Sequence, residues 1–281
     1  MRYDPLVDTM TDRSACWTFT ESRPREMFGL IESIWHFEGS VPHARERHLP
    51  NGLIELVLQF GPTFAFMKGE TREHCTATCL TGLQTSPTII ESPASRVCVL
   101  GVRLRPAGAY AVLGTPLHKT SERIVDLEDL IGDAASDIAE RCSVARDGEA
   151  RVRCAARWIA ERIARSPGID ARVAWAAACI DGSHGAASIR QLEHHTGLSK
   201  KRFVAAFREQ IGLAPKRYGR VVRFRRALGL IHSGGSSLTE VAVTAGYHDQ
   251  AHMNRDFRRL GGLTPGEFLG TTRYSPTTTL G

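Results

Sequence analysis

The stretch that decides the fold is S-L-T-E-V-A-V-T-A-G-Y-H-D-Q-A-H-M-N-R-D-F, from Ser237 to Phe257. An earlier stretch, S-I-R-Q-L-E-H-H-T-G-L-S-K-K-R-F-V-A-A-F from Ser188 to Phe207, follows the same plan. Each copy predicts a serine cap, a short amphipathic helix, a glycine turn and a second helix closed by phenylalanine. Two such units can place their second helices in successive major grooves on one face of a DNA duplex. The repeat therefore indicates DNA as the first partner to consider.

The segment between the copies predicts one continuous helix. It reads L-A-P-K-R-Y-G-R-V-V-R-F-R-R-A-L-G-L-I-H-S-G-G, from Leu213 to Gly235, and its closing glycines end the helix. One side of this helix carries an apolar stripe of Tyr218, Val221, Val222, Ala227, Leu228 and Ile231. A helix of this kind would fix the separation of the two readers at about one duplex turn, ~34 Å.

Basic charge is concentrated in the repeated segment. From Ser188 to the end, fifteen Lys and Arg stand against six Asp and Glu, a net charge of +9. The rest of the chain carries 21 basic and 24 acidic residues, although the whole chain is at +6. Contacts with a phosphate backbone need this distribution, because neutralised phosphates release counterions and supply most of the non-specific affinity.

In the second helix of each copy, Phe203, Phe207, Met253 and Phe257 are predicted to pack inward. The positions of these helices that stay exposed are the candidate contacts with DNA. The predicted base-reading residues are Lys201, Arg202, Val204 and Ala205 in copy one and Gln250, Ala251, His252, Asn254 and Arg255 in copy two. The predicted phosphate contacts are Arg208, Lys216, Arg217, Arg220 and Arg258. The basic side chains of Lys201 and Arg202 also suit contacts with phosphate. Because Asn and Gln pair with adenine and Arg with guanine, copy two is expected to provide most of the hydrogen-bonded discrimination.

The rest of the chain predicts an α+β protein of two domains. Residues from about Cys16 to Arg105 are β-rich, with short strands at the spacing of an antiparallel barrel or sandwich. From about Pro106 the pattern is helical, including a long helix over Leu127–Cys142, and a linker follows at 181–185. The predicted divisions are a β-rich effector domain (1–125), a helical connector (126–182), a double helix-turn-helix (183–271) and a frayed tail (272–281).

Residues 172 to 271 closely resemble the AraC/XylS family of bacterial transcription regulators. The motifs G-L-A-P-K-R-Y and G-G-L-T-P-G-E-F, which end the two copies, carry this resemblance together with the repeat. One departure is Glu193, which stands where copy two has the small Ala242 usual at the helix crossing. The resemblance implies promoter DNA, RNA polymerase, a small effector of unknown identity and a second copy of the chain as partners. Dimerisation through Leu127–Ile163 is one reading; packing of those helices on the barrel is the other.

The N-terminal half resembles the cupin-like effector domain of one group of these regulators. The motifs that carry this likeness are R-H-L-P-N-G-L-I-E-L-V-L, L-T-G-L-Q-T-S-P and G-V-R-L-R-P-A-G-A. Arg103 and Arg105 share a strand face by their spacing, so they either receive an anionic ligand or are surface and structural arginines.

Two other functions compete with a regulator. A cupin-type metal enzyme fused to a DNA-binding module would need a ligand set such as His36, His43, His48 and Glu55, or a cluster of His74, Cys75 and Cys79. A purely architectural DNA binder would show no sequence preference. We expect no enzyme activity, no metal and no cofactor. Seven cysteines without a disulfide pattern, a polar start and no long apolar run predict a cytoplasmic protein away from membranes.

Overall fold

The computed structural model describes residues 7–12, 17–27, 29–41, 43–271, 273–275 and 278–280. The strands are β1 (Val7–Asp12), β2 (Trp17–Ser22), β3 (Ile31–Gly39), β4 (Arg45–His48), β5 (Ile54–Gln59), β6 (Ala65–Lys68), β7 (Thr71–His74), β8 (Thr78–Thr81), β9 (Thr88–Glu91), β10 (Val97–Leu104), β11 (Ile124–Asp126), β12 (Arg273–Ser275) and β13 (Thr278–Leu280). The α-helices are α1 (Pro106–Leu113), α2 (Glu128–Ile131), α3 (Asp133–Ser143), α4 (Gly148–Arg165), α5 (Ala171–Gly182), α6 (Ile189–Thr196), α7 (Lys200–Ile211), α8 (Pro215–Ser233), α9 (Leu238–Thr244), α10 (Gln250–Gly261) and α11 (Pro265–Leu269). Short 3₁₀ helices cover Arg25–Met27 and Leu117–Lys119.

The strands form two antiparallel sheets. Sheet A has the order β1-β2-β3-β10-β5-β8-β11, and sheet B has the order β12-β13-β4-β9-β6-β7. The expected α+β class, with an antiparallel β-rich N-terminal half and a helical C-terminal half, is confirmed. The expected antiparallel barrel is corrected, because the described strands pair into two separate sheets and do not close into one barrel.

Sheet A has one face against helices and the other against sheet B. Alternation along β5 shows this division, because Ile54, Leu56 and Leu58 are fully buried in the core shared with the helices. The neighbouring Val57 points the opposite way, into a small apolar cluster that includes Phe66 of sheet B. The N-terminal half is therefore a sandwich with a helical layer on one side.

Several elements match the sequence-based expectation closely. The sequence alone predicts strands at 65–68, 88–91 and 97–104 and a short helix at 106–113, and the structure confirms these four elements with the same bounds. The helix expected over Leu127–Cys142 is instead two helices, α2 and α3. Gly132 separates them at φ +56, a left-handed conformation that favours glycine.

The helical half is built around buried phenylalanines. Phe203, Phe207 and Phe257 are at most 1% exposed, as predicted, and Phe224 of α8 meets the Phe257 ring edge-on at 4.8 Å. These side chains belong to the same continuous core as the helix-facing side of sheet A. None of the described helices is long and apolar enough to cross a membrane.

The segment after α11 differs from expectation. We expected a frayed tail, but Thr278–Leu280 pairs antiparallel with β4, and β12 pairs with β13. Exposed strand edges form such pairs readily, because their backbone donors and acceptors are open. The chain thus returns from the helical half to the edge of sheet B.

Candidate nucleic-acid interface

The first helix-turn-helix consists of α6 and α7. Ser188 caps α6 by accepting a hydrogen bond from the Gln191 amide at 3.4 Å, and Gly197 ends the helix in the left-handed conformation. Ser199 occupies the N-cap position of α7 without a side-chain cap bond. Glu193, which departs from the family pattern, is half-buried.

The second helix-turn-helix, α9 and α10, is capped more completely. Ser237 and Glu240 form a capping box, in which each side chain accepts from the other residue's amide. Gly246 supplies the positive φ of the turn at +86°. Asp249 then caps α10 by accepting from the His252 amide at 2.6 Å.

Helix α8 holds the two units at a fixed separation. Its 19 residues span about 28 Å at 1.5 Å per residue. The predicted apolar stripe of this helix is buried along its whole length. Tyr218 packs on Phe207 of the first unit at 5.9 Å between ring centroids, while Phe224 packs on the second unit.

In copy one, the predicted contacts lie mostly on the solvent side of α7. Lys201, Arg202, Ala205 and Arg208 are all exposed. Val204 is half-buried and packs against the core, so less of its side chain is available to a thymine methyl group. The face presented by α7 is therefore cationic with one small residue.

In copy two, the exposed face of α10 carries Ala251, Arg255 and Arg258. Arg259 is exposed as well and follows Arg255 by four residues, so it shares that side of the helix. Sequence reasoning missed Arg259, although the i, i+4 spacing from Arg255 was a signal that could have found it.

The other three predicted readers of copy two are half-buried. Gln250 accepts a hydrogen bond from the Thr239 hydroxyl at 3.0 Å, which leaves its amide group to donate. Asn254 has its Oδ1 buried, and no described residue offers it a hydrogen bond. The ring of His252 stands edge-on to Tyr247 at 5.2 Å. The Thr239 hydroxyl thus orients the Gln250 side chain, and Gln250 and Asn254 share one side of α10 by their i, i+4 spacing.

A buried ion pair connects α10 to α8. Arg220 Nε lies 3.4 Å from Asp256 Oδ1, and Asp256 is buried. Burial raises the pKa of the Asp256 carboxyl, and the Arg220 charge opposes that rise. Arg220, predicted as a phosphate contact, thus has a partner inside the protein, and its phosphate role stays a prediction.

The remaining predicted phosphate contacts differ in their surroundings. Arg208, Lys216 and Arg258 are exposed. Arg217 is also exposed, but its guanidinium reaches the N-terminal half and bonds Glu122 at 3.2 Å. The structure therefore places all of these side chains on α7, α8 and α10, and their contacts with DNA stay predictions.

The proposed anion-binding arginines of the N-terminal half are paired with carboxylates. Arg103 lies 3.1 Å from Glu55, which also accepts from the Trp35 indole at 2.8 Å. Arg105 lies 2.6 Å from Glu32. These pairs favour the structural reading of both arginines.

Among the described residues, the four predicted ligands His36, His43, His48 and Glu55 do not converge on one site. His43 and His48 both contact Glu46, whereas Glu55 belongs to the Trp35 group. Burial raises the pKa of the Glu46 carboxyl, but the hydrogen bonds and charges of His48 and His43 outweigh burial and lower that pKa to about 2.

His36 lies in a separate cluster on the helix-facing side of sheet A. Its Nε2 is 3.4 Å from Cys98 Sγ, and Glu38 completes a group of donor atoms within 4.8 Å of one another. The guanidinium of Arg151 from α4 lies 3.3 Å from that same Nε2 and 3.8 Å from Glu38. A fixed positive charge among these donors repels a metal cation, so the cluster fits a link between sheet and helix.

Cys75 and Cys79 are both buried in the small cluster between the two sheets. Burial and the neighbouring Cys75 thiol raise the pKa of Cys79. His74, the third residue of this predicted zinc alternative, is exposed and contacts Arg72. The cysteines accordingly fit structural thiols.

Comparisons with known proteins agree with the division into two halves. Residues 192–271 match a family described as a helix-turn-helix domain, and residues 24–126 match a domain of unknown function (DUF6597). The probable transcriptional regulator LumQ of Photobacterium leiognathi is 32% identical over 87 residues, which are 31% of this chain and 33% of LumQ. An uncharacterized HTH-type transcriptional regulator of Haemophilus influenzae is 29% identical over 80 residues, 28% of this chain and 27% of that protein.

Among solved structures, ToxT from Vibrio cholerae O395 aligns with 80% of this chain and 95% of its own, at 9% identity and a TM-score of 0.45. The chain spans about a third or less of the length of the two curated relatives. Residues 192–271 thus form a helix-turn-helix domain, and the chain is similar over part of its length to known transcriptional regulators.

Proposed function

We propose that this protein is a sequence-specific DNA-binding transcription regulator. One observation carries the proposal: two capped helix-turn-helix units expose basic faces on α7 and α10, and one helix with a buried apolar stripe, α8, fixes their separation. Rigid spacing of two reading helices is what recognition of successive major grooves requires. The expected partner is double-stranded promoter DNA.

Within this proposal the two units have different tasks. Copy two presents the exposed Arg255 and the half-buried Gln250 and Asn254, whose side chains suit hydrogen bonds to base edges. Copy one presents Lys201 and Arg208, whose long cationic side chains suit phosphate. We expect the half-site read by α10 to be the more strongly specified.

The N-terminal sandwich is the proposed sensing part, with control by a small effector or by dimerisation. Supporting this, it packs through one continuous core on the helical half, so a change in the sheets has a physical route to the readers. The regulator proposal assigns no catalysis to this chain, and it is favoured over a metal enzyme because the predicted ligands lie in separate clusters.

Selection of bound sites from random duplex DNA tests the proposal. Enrichment of a motif with two parts about one duplex turn apart is the expected result. Binding without enrichment would instead favour a purely architectural DNA binder. Repeating the selection with candidate metabolites asks whether any of them changes the affinity, which an effector-controlled regulator requires.

A further inference from the structure

We propose that Glu122 competes with DNA phosphate for Arg217, so that the turn 120–122 acts as an internal latch on the DNA interface. This inference rests on the proposed function and adds a form of regulation to it. The latch consists of Glu122 and Thr85 from the N-terminal half and Arg217 from the first turn of α8.

The contacts within the latch are specific. Arg217 Nη2 donates to Glu122 Oε1 at 3.2 Å and to Thr85 Oγ1 at 2.7 Å. Thr85 also donates to Glu122, through its amide at 3.1 Å and through its hydroxyl. The carboxylate is thus held by a neighbour of its own half and aimed at the arginine of the other.

The backbone of the latch is strained. The backbone of Glu122 has φ +60, in the left-handed region that residues other than glycine rarely adopt. Such a conformation persists only where the surroundings determine it, and here the Glu122 amide donates to the Leu83 carbonyl at 2.9 Å. The fold therefore keeps this carboxylate at one position at a conformational cost.

The same turn also holds the end of the first reading helix. Ser121 Oγ donates to the Gly212 carbonyl at 2.8 Å, and Gly212 ends α7 at φ +101. Gly212 lies against Leu117 of the preceding 3₁₀ helix. One turn of the N-terminal half thus contacts both the glycine that caps α7 and the first turn of α8.

Two motifs noted in the sequence border this contact. The turn of L-P-N-G accepts a hydrogen bond at the Asn51 carbonyl from Arg225 of α8, at 3.3 Å. The end of L-Q-T-S-P supplies Thr85 to the latch and places Pro87 beside Gly262, which caps α10. Both motifs therefore serve the boundary between the halves.

The latch is weak enough to be opened by DNA. The Arg217 and Glu122 side chains are 54% and 34% exposed, and ion pairs of that exposure contribute little in water. A duplex offers a dense array of phosphates and releases counterions on binding, so it can take over the guanidinium. Neutralising Glu122 should then tighten binding by about two- to fivefold at low salt.

The experiment compares wild type, Glu122→Gln and Glu122→Asn, each with and without Arg217→Gln. The probe is a short fluorescent duplex of mixed sequence, because a phosphate contact acts on every sequence alike. Glu70→Gln, an exposed acid in the turn between β6 and β7, is the matched control for net charge. Asn is included because it tolerates positive φ and preserves the turn.

When Arg217 is present, both Glu122 variants should bind the duplex more tightly than wild type. The slope of log affinity against log salt concentration should become steeper by up to about one unit. In the Arg217→Gln background, and for Glu70→Gln, the affinity should not change. Equal affinities for wild type and both Glu122 variants, or the same gain without Arg217, would overturn the latch while the regulator proposal stands. Failure of wild type to bind duplex DNA at low salt would overturn both.

Discussion

Arg255 and Lys216 separate base reading from phosphate binding. Both side chains are exposed, but Arg255 lies on the outer face of α10 and Lys216 in the first turn of α8. Arg255→Ala should cost about 1–3 kcal/mol on the selected site and relax one base position. Lys216→Ala should weaken all sequences similarly and reduce the salt slope by about one.

Fluorescence anisotropy on the selected and a scrambled duplex, over a range of salt concentrations, measures both effects. Arg217→Ala should follow Lys216→Ala, with a smaller loss if the latch already occupies its guanidinium. Identical behaviour of Arg255→Ala and Lys216→Ala would contradict the division into base and phosphate contacts.

His36 gives the fold a dependence on pH. Burial, followed by the Arg151 charge, lowers the pKa of His36 to about 4, and Glu38 and Asp147 only partly oppose this. Between pH 6.5 and 4 the unfolded chain takes up a proton at this position that the folded protein does not. The stability that depends on neutral His36 is therefore present above that window and is lost as the pH falls through it.

Urea unfolding of wild type and His36→Gln at pH 7 and pH 5 tests this linkage. The midpoint of wild type should fall more than that of the variant, because glutamine does not titrate. Parallel losses in the two proteins would assign the acid sensitivity to other groups.

At the scale of elements, caps should determine how firmly each reading unit is held. Ser237 belongs to a capping box, Ser188 makes one long cap bond, and Ser199 makes none. Ser237→Ala should therefore cost about 0.5–2 kcal/mol of unfolding free energy, Ser188→Ala less, and Ser199→Ala nearly nothing. Urea denaturation of the three variants measures these losses, and Ser199→Ala is the matched control. If Ser199→Ala lowered the unfolding free energy as much as Ser237→Ala, the cap hydrogen bonds would not explain the losses.

Local patterns predicted most helices and several strands of this protein. Turn glycines, caps and periodic apolar residues can be recognised from neighbouring positions in the sequence. The turn at Gly197 and the burial of Phe207 and Phe257 could therefore be predicted. The pairing of the tail with β4 could not, because an edge strand finds its partner through tertiary contact. The break at Gly132 was missed for a different reason: the apolar spacing continues across it.

The candidate site shows the same limit. The exposed positions on α7 and α10 follow from helix periodicity, and most of them were predicted. The partners of Arg217 and Arg220 could not be, since Glu122 and Asp256 are far away in the sequence. Whether an arginine is available to a phosphate depends on such distant partners, which no local pattern contains.

At the scale of the whole molecule, the shared core predicts that the two halves unfold together. Leu117, fully buried at the boundary, packs against the end of α7, and the core continues from sheet A into α8 and α10. Calorimetry should therefore show one transition, with equal calorimetric and van't Hoff enthalpies.

Leu117→Ala should lower the unfolding free energy by about 2–5 kcal/mol, because it leaves a cavity between the halves. It should also make the transition broader or double, as each half loses support from the other. Val144→Ala, at a position 84% exposed, is the matched truncation outside the core and should leave the single transition unchanged. Two resolved transitions in wild type would mean that the boundary does not couple the halves, and the physical route from the sheets to the reading helices would then be lost.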